Sequence, residues 1–155
     1  MKKEQKGITI VSLVITIVIL IIITSVTVYT SVSIIKQANL QTINTNMMLI
    51  QAKTKTIAEQ AKFNKDTSNY KGTLISDISD NQKILKLIDN GVIDDASKYY
   101  LLSNEDLQDL GLQKIDIEDG YVVNYDTEEV IYVKGFENEG TTYYKLSELR
   151  NVTAK

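Results

Sequence analysis

The chain has 155 residues, the length of one folded unit with an added segment, and it contains no Cys, His, Trp or Pro. Without Cys there are no disulfide bonds or thiolate metal sites, and without His the commonest general base and zinc ligand is missing. The formal net charge of -3 hides an acidic segment over residues 66–155, where nine basic and eighteen acidic residues argue against a surface that binds nucleic acid directly.

The N-terminus joins a short basic leader to a long uncharged segment. Three lysines and one glutamate lie among residues 1–7, and residues 8–35 then run for 28 residues without a charge. About 20 apolar residues span the hydrocarbon core of a bilayer, so we predict a transmembrane helix over residues 8–30. Basic residues stay on the cytoplasmic side, which predicts a single-pass protein of the cell membrane with its C-terminal domain extracellular.

Three interpretations of this segment compete, and they differ in where the chain is cut. A secretory signal peptide would be removed at small residues such as Ser31-Val32-Ser33, but its apolar stretch is usually only about 7–15 residues long. An uncleaved anchor explains the length and the lysines equally well. The third interpretation is cleavage after Gly7.

The residues around Gly7 combine a basic leader, a Lys-Gly pair and an apolar helix. The matching positions are Lys6, Gly7, Ile8, Thr9, Ile10 and Val11, followed by the apolar run to Ile23. This pattern resembles the N-terminus of type IV prepilins and type II secretion pseudopilins. The resemblance implies that a membrane-embedded prepilin peptidase cuts between Gly7 and Ile8, removes residues 1–7 as a leader peptide and methylates the new amine of Ile8.

Ser12 stands where that family usually carries Glu. The resemblance implies that this Glu pairs with the terminal amine of a neighbouring subunit, since a carboxylate in hydrocarbon is costly unless it is paired. A serine hydroxyl instead bonds back to its own helix and makes no ion pair. Ser12 therefore predicts either a minor subunit whose partner supplies the Glu, or a prepilin-like group of Gram-positive bacteria in which this position is small or apolar.

Residues 36–64 are predicted to continue the helix outside the membrane as an amphipathic segment. Apolar residues recur three and four apart along one face, which is the spacing of an a/d seam. The seam consists of Leu40, Ile43, Met47, Ile50, Thr54, Ile57 and Ala61. Two interpretations are open, because the C-terminal domain can cover this seam alone, or part of the seam can also pack against neighbouring subunits of a filament.

Residues 65–155 are predicted to form a small acidic α+β domain with a short antiparallel sheet. Its first helix is expected to begin at Ser79 or Asp80 and to end at Gly91, with the apolar residues Ile84, Leu85, Leu87 and Ile88 between them. About 90 residues make only a modest core, so docking on the long helix should contribute to the stability of this domain.

A strand and a short helix are predicted next in the chain. Residues 98–102 are predicted to form a strand, because the four residues after Lys98 are aromatic or apolar. Ser103 with Asp106 three residues later resembles a capping box, with Asp in place of Glu. The helix that it begins is expected to stop at Gly111, because glycine readily ends a helix.

The last part of the domain carries strand and turn signals in close succession. Residues 121–124 and 130–133 flank a polar turn and predict a β-hairpin. A further strand is predicted over residues 143–146, and Ser147 is expected to cap a final helical turn.

Three stretches of this domain, "YYLLSNEDLQDLGL", "YVVNYDTEEVIYVKGF" and "GTTYYKLSEL", look like the pilin-like proteins of anaerobic Gram-positive bacteria. Together with the N-terminal pattern, the resemblance implies a pilin-like α+β fold. In that fold a long N-terminal helix over residues 8–64, part transmembrane and part amphipathic, carries a small C-terminal α+β domain.

The sequence lacks the motifs of a catalytic or cofactor site. It has no nucleophile–base pair, glycine-rich phosphate loop or metal-ligand spacing, so we expect neither an enzyme nor a cofactor. Oxygen-rich loops can bind calcium, so one acidic cluster is a calcium candidate, with a solvated acidic surface as the alternative. The candidate cluster is Asp116, Glu118 and Asp119, and a second acidic cluster is Asp126, Glu128 and Glu129.

These features predict a structural subunit, a pilin or pseudopilin, major or minor, of a type IV pilus-like or secretion or DNA-uptake filament. The expected partners are other pilin or pseudopilin subunits, the prepilin peptidase and the membrane. The alternative function is an uncleaved membrane anchor, N-terminus inside, that displays a small binding domain on the cell surface.

Overall fold

The chain forms one long helix followed by a small domain built on an antiparallel sheet, which confirms the predicted α+β architecture. The computed structural model describes residues 10–115 and 120–153, without the side chains of residues 10, 11 and 25–31. The helices are α1 (Ile10–Asn64), α2 (Gln82–Asp89), α3 (Asn104–Asp109) and α4 (Leu146–Leu149), and the strands are β1 (Thr73–Leu74), β2 (Tyr99–Leu102), β3 (Tyr121–Asn124), β4 (Glu129–Asn138) and β5 (Thr141–Lys145).

Several predictions fall on residues outside the described part of the chain. These are the leader 1–7 with the cleavage site at Gly7 and Ile8, and the calcium candidates Asp116, Glu118 and Asp119. They stay predictions.

α1 has 55 residues, which corresponds to about 82 Å at 1.5 Å per residue. It ends at Asn64, where the sequence predicted, because Lys65 turns into the left-handed region with a φ of 54°. The N–H of Asp66 then donates to the carbonyl of Ala61 at 3.1 Å and closes the last turn. Within the described part of the chain, no helix carries a stretch long and apolar enough to cross a membrane.

The sheet is a five-stranded antiparallel meander in the order β1-β2-β3-β4-β5. β3 and β4 form the predicted hairpin, with Tyr121 opposite Tyr132 and Asn124 opposite Glu129. The pairing of β4 with β5 shifts register between Ile131 and Phe136. Beyond this irregularity, pairing with β5 carries β4 on to Asn138, five residues past the predicted end of the strand.

The two faces of the sheet are covered by different helices. Along β3, Tyr121 and Val123 point into the core shared with α1 and α4, whereas Val122 points into a second core shared with α2. This alternation follows from the period of two along a strand. The domain therefore has three layers, and α1 is one of the outer two.

Three helix caps were predicted in the C-terminal domain. Ser103 Oγ accepts from the N–H of Asp106, whose carboxylate accepts in return from the N–H of Ser103, so the capping box is confirmed. Two other predicted caps are wrong. α2 is capped by Asn81, not by Ser79 or Asp80, because the Asn81 side chain accepts from two N–H groups of the first turn.

The end of the chain differs in detail from the prediction. α4 begins at Leu146, so Ser147 lies inside the helix and Lys145 occupies the cap position. The Glu148 carboxylate accepts from the N–H groups of Tyr144 and Lys145, both at 3.3 Å, and so links α4 back to the end of β5. β1 was not predicted, since two residues carry too little pattern to identify a strand.

Candidate assembly surface and membrane-proximal groove

The predicted seam of α1 faces the chain's own sheet. Met47 and Ile50 are fully buried and Leu40 is 5% exposed, while Ile43 and Ile57 are half-buried against the same core. The polar member, Thr54, is also buried, and its hydroxyl donates to the carbonyl of Ile50 at 2.9 Å. The C-terminal domain therefore covers most of the seam and leaves Ile43 and Ile57 half-buried.

Gln51 fixes α1 to two distant parts of the domain at once. Its amide N–H donates to the carbonyl of Glu128 at 2.7 Å, and its amide oxygen accepts from the guanidinium of Arg150 at 2.8 Å. One turn further on, the Lys55 ammonium lies 2.8 Å from the Glu128 carboxylate, and this hydrogen bond raises the pKa of Lys55. These contacts bind the hairpin turn and the C-terminal helix to the same side of α1.

The opposite side of α1 is exposed and uncharged. Residues 37–52 contain no charged side chain, although this segment lies outside the predicted membrane span. We define the outward face of α1 as the exposed residues of this segment that lie on the side opposite the seam, namely Ala38, Gln41, Thr45, Met48, Leu49 and Ala52. Met48 is 43% and Leu49 46% exposed, and Thr45 donates its hydroxyl proton to its own helix. Apart from the amide of Gln41, such a face loses little when it is removed from water.

The N-terminal part of α1 carries apolar side chains on every side. From Leu13 to Ile23 each large apolar side chain is between 47% and 62% exposed, and Ser12 is exposed as well. The hydroxyls of Thr16 and Thr24 donate to carbonyls of their own helix at 2.7 and 2.6 Å. A helix that is apolar all round needs to be buried in lipid or in protein.

A groove of about 690 Å³ lies between α1 and the edge of the sheet. Its first wall is the side of α1 from Lys36 to Asn46, and its second wall comes from β4 and β5, including Lys134 and Glu137. Aromatic and apolar side chains complete the lining, namely Ile43, Tyr121, Tyr132, Phe136 and Tyr144. The groove lies at the end of the domain next to the uncharged N-terminal segment.

The second acidic cluster is engaged in structural contacts. Glu128 pairs with Lys55, and the Glu129 carboxylate accepts from the N–H of Ser147 at 3.2 Å. Within the described residues, no group of three or more acidic, His or Cys side chains is placed to hold a metal ion. The carboxylates of Glu128 and Glu129 therefore serve the attachment of α1 and α4 to the hairpin.

The outward face and the groove were not identified from the sequence. The absence of charged residues over 37–52 is a sequence feature that indicates the outward face, because solvent-exposed helix surfaces usually carry charges. The groove had no such signal, since its walls come from segments about 90 residues apart.

Comparison with models of protein families, with curated sequences and with solved structures finds no match to this chain.

Proposed function

We propose that the chain is a structural subunit of a surface filament, made as a membrane-anchored precursor of the prepilin type. The observation that carries this proposal is the exposed apolar part of α1, from Leu13 to Ile23, which extends beyond the domain. In a precursor, lipid would cover these side chains. In a filament, the same side chains would be covered by the helices of other subunits.

The distribution of charge along α1 supports assembly rather than a simple anchor. Between Ile8 and Ala52 the sequence carries a single charged residue, Lys36. An anchor needs an uncharged sequence only where it crosses the membrane, over about the first 20 of these residues. A helix that packs against other helices along its whole length benefits from an uncharged surface throughout. The outward face of α1 is then the part of each subunit that contacts its neighbours.

Processing is proposed at the Gly7–Ile8 bond, with methylation of the new amine of Ile8 by the same peptidase. The partners are other pilin or pseudopilin subunits, the prepilin peptidase and the membrane, and the domain lies outside the cell. Ser12 supplies no carboxylate for the usual pairing with a terminal amine. A filament in which this chain is a minor subunit would take that carboxylate from another subunit.

Ser12 also favours the second candidate function, an uncleaved anchor that displays a binding domain. A serine in this position is compatible with a helix that never leaves the lipid, because a serine hydroxyl can bond to a carbonyl of its own helix. The two functions differ at Gly7, since cleavage there is required only for the first.

The processing test compares two leader variants in the native cell envelope. The wild-type chain and Gln5→Val should both yield a chain whose mass begins at Ile8, with or without one methyl group. Gly7→Val should retain residues 1–7 and should be absent from filaments, because a β-branched side chain blocks the peptidase site. A wild-type chain that still carries residues 1–7 would refute processing and favour the anchor.

A second test addresses the outward face. Leu49 and Leu85 are exposed to similar extents, 46% and 42%, but Leu85 lies on α2 in the outer layer of the domain. Leu49→Glu should be processed and folded normally yet excluded from filaments, whereas Leu85→Glu should be incorporated. Incorporation of Leu49→Glu at the wild-type level would show that neighbouring subunits do not pack on this face.

A further inference from the structure

The groove between α1 and the sheet has the size and the lining of a site for a small charged molecule. Its volume of about 690 Å³ lies within the range of about 300–1,000 Å³ that is usual for small-molecule sites. Lys36 lines it from α1 and Lys134 from β4, so cationic side chains border both walls. The lining thus brings together two lysines and one glutamate, Glu137, in a domain that is acidic as a whole.

The polar lining suits a phosphodiester that carries hydroxyl groups. The two ammonium groups can pair with a phosphate charge, as lysines do in many phosphate sites. Glu137 adds a carboxylate that accepts hydrogen bonds from hydroxyl groups, and the amides of Asn39 and Asn46 can both donate and accept. A simple inorganic anion would have no use for the carboxylate, whereas a polyol phosphate uses every one of these groups.

The position of the groove along α1 places it at the level of lipid head groups, provided that the proposed membrane anchor is right. The uncharged segment of residues 8–35 has 28 residues, or about 42 Å of helix, which matches the roughly 40–45 Å of a bilayer with its head groups. Lys36 follows directly. Leu40, where the domain begins to cover α1, lies only about 6 Å further on.

We propose that this groove binds the head group of an anionic, polyol-bearing phospholipid of the outer leaflet, such as phosphatidylglycerol. Lys36 and Lys134 pair with the phosphate, and Glu137 with the asparagine amides binds the hydroxyl groups. The contact holds the domain of the membrane-bound precursor against the bilayer and is given up when the helix leaves the lipid. This inference rests on the membrane anchor of the proposed function.

The test uses the full chain reconstituted into vesicles and measures hydrogen exchange of the β4 and β5 amides. Vesicles of phosphatidylcholine alone are compared with vesicles that also contain phosphatidylglycerol. Exchange should slow about tenfold where the head-group concentration is about ten times the dissociation constant. Equal exchange in both kinds of vesicle would overturn the proposal.

Paired variants show whether the groove itself is responsible. The double variant Lys36→Gln, Lys134→Gln should lose the protection by phosphatidylglycerol. The matched double variant Lys53→Gln, Lys62→Gln removes the same charge from exposed positions further along α1 and should keep it. Protection that survives in the first double variant, or that vanishes equally in both, would refute the groove as the site.

Two controls separate the possible sources of failure. Glycerol phosphate in solution that protects β4 and β5 as well as phosphatidylglycerol does would overturn the assignment to lipid and point to a soluble phosphate. Alkaline extraction of the vesicles tests the anchor on its own. A chain that is extracted refutes the membrane-anchored precursor, whereas a chain that stays in the vesicles but shows no effect of phosphatidylglycerol refutes only the groove.

Discussion

The hydroxyl of Tyr125 binds both backbone groups of Lys71, accepting from its N–H at 2.8 Å and donating to its carbonyl at 3.0 Å. The ring of Tyr70 stacks on that of Tyr125 with centroids 4.0 Å apart, and Tyr100 packs against it edge-on at 5.3 Å. Tyr125 directly follows β3, whereas Lys71 lies in the segment that leaves α1. One side chain therefore fixes the connection between the long helix and the sheet.

Tyr125→Phe tests the importance of this connection. The substitution keeps the stacked ring but leaves the N–H and carbonyl of Lys71 without their partner, which should lower the free energy of unfolding by about 1–3 kcal/mol. Urea unfolding of the full chain in detergent measures the change. Tyr143→Phe is the control, because Tyr143 is half-buried and its hydroxyl makes no hydrogen bond described in the structure. Equal effects of both substitutions would contradict the role of the Lys71 contact.

The stability of the protein should fall as the pH rises from about 10 to about 12. Burial raises the pKa of Tyr125 to about 12, from 10.0 in an exposed tyrosine. The unfolded chain therefore releases this proton first, so that rising pH favours unfolding by at most about 1.4 kcal/mol per pH unit for one group. Melting temperatures measured across this range should fall less steeply for Tyr125→Phe than for the wild type.

Other groups also make the stability fall as the pH rises, and they are present in both the wild type and Tyr125→Phe. Burial raises the pKa of Tyr70 and of Tyr99, and a hydrogen bond to Asp109 raises that of Lys71. Each of them adds stability that is complete below its unfolded pKa and is lost at higher pH. Identical slopes for the wild type and the variant would show that Tyr125 does not titrate differently in the folded state.

Gly135→Ala should disrupt the junction of β4 and β5. Gly135 has a φ of +74°, and an added Cβ would lie 2.5 Å from Cγ2 of Thr142 and 2.7 Å from the ring of Tyr144. The left-handed backbone costs about 1–2 kcal/mol with a side chain, and overpacking adds about 1–3 kcal/mol, so a loss of about 2–5 kcal/mol is expected.

Gly140→Ala provides the matched comparison for this glycine. Gly140 has a φ of +79°, but an added Cβ there meets nothing within 4 Å. Only the backbone cost of about 1–2 kcal/mol is then expected. Equal stability of the two variants in urea unfolding would show that the close approach of Thr142 and Tyr144 to Gly135 adds no cost to the substitution.

Met47 and Met48 provide a matched pair on adjacent positions of α1. Met47 is fully buried beneath the sheet, whereas Met48 is 43% exposed on the outward face. Met47→Ala should lower the free energy of unfolding by about 2–5 kcal/mol, and Met48→Ala should change it by less than about 0.5 kcal/mol. Unfolding in detergent tests both, and a large loss for Met48→Ala would mean that the domain packs on a different face of α1.

Structure follows most directly from sequence where a single local pattern decides it. The spacing of Leu40, Met47 and Ile50 identified the buried side of α1, because a helix repeats every 3.6 residues whatever covers it. Ser103 and Asp106 formed the predicted capping box, because both partners lie within one turn. The cap of α2 was misplaced because Ser79, Asp80 and Asn81 are all good capping residues in sequence, whereas in the fold it is Asn81 that accepts from the N–H groups of Lys83 and Ile84.

Local sequence patterns are enough to predict the long helix, the side of it that is buried, the β3–β4 hairpin and the uncharged N-terminal segment, since each depends on the order of neighbouring residues. Only the folded structure shows that the seam of α1 lies against its own domain, with Ile43 and Ile57 half-buried, and that Gln51 joins Glu128 to Arg150. It also brought Lys36 and Lys134 to the two walls of one groove. Contacts of this kind join residues about 80–100 positions apart, and their distance in space is fixed by packing, which no local pattern encodes.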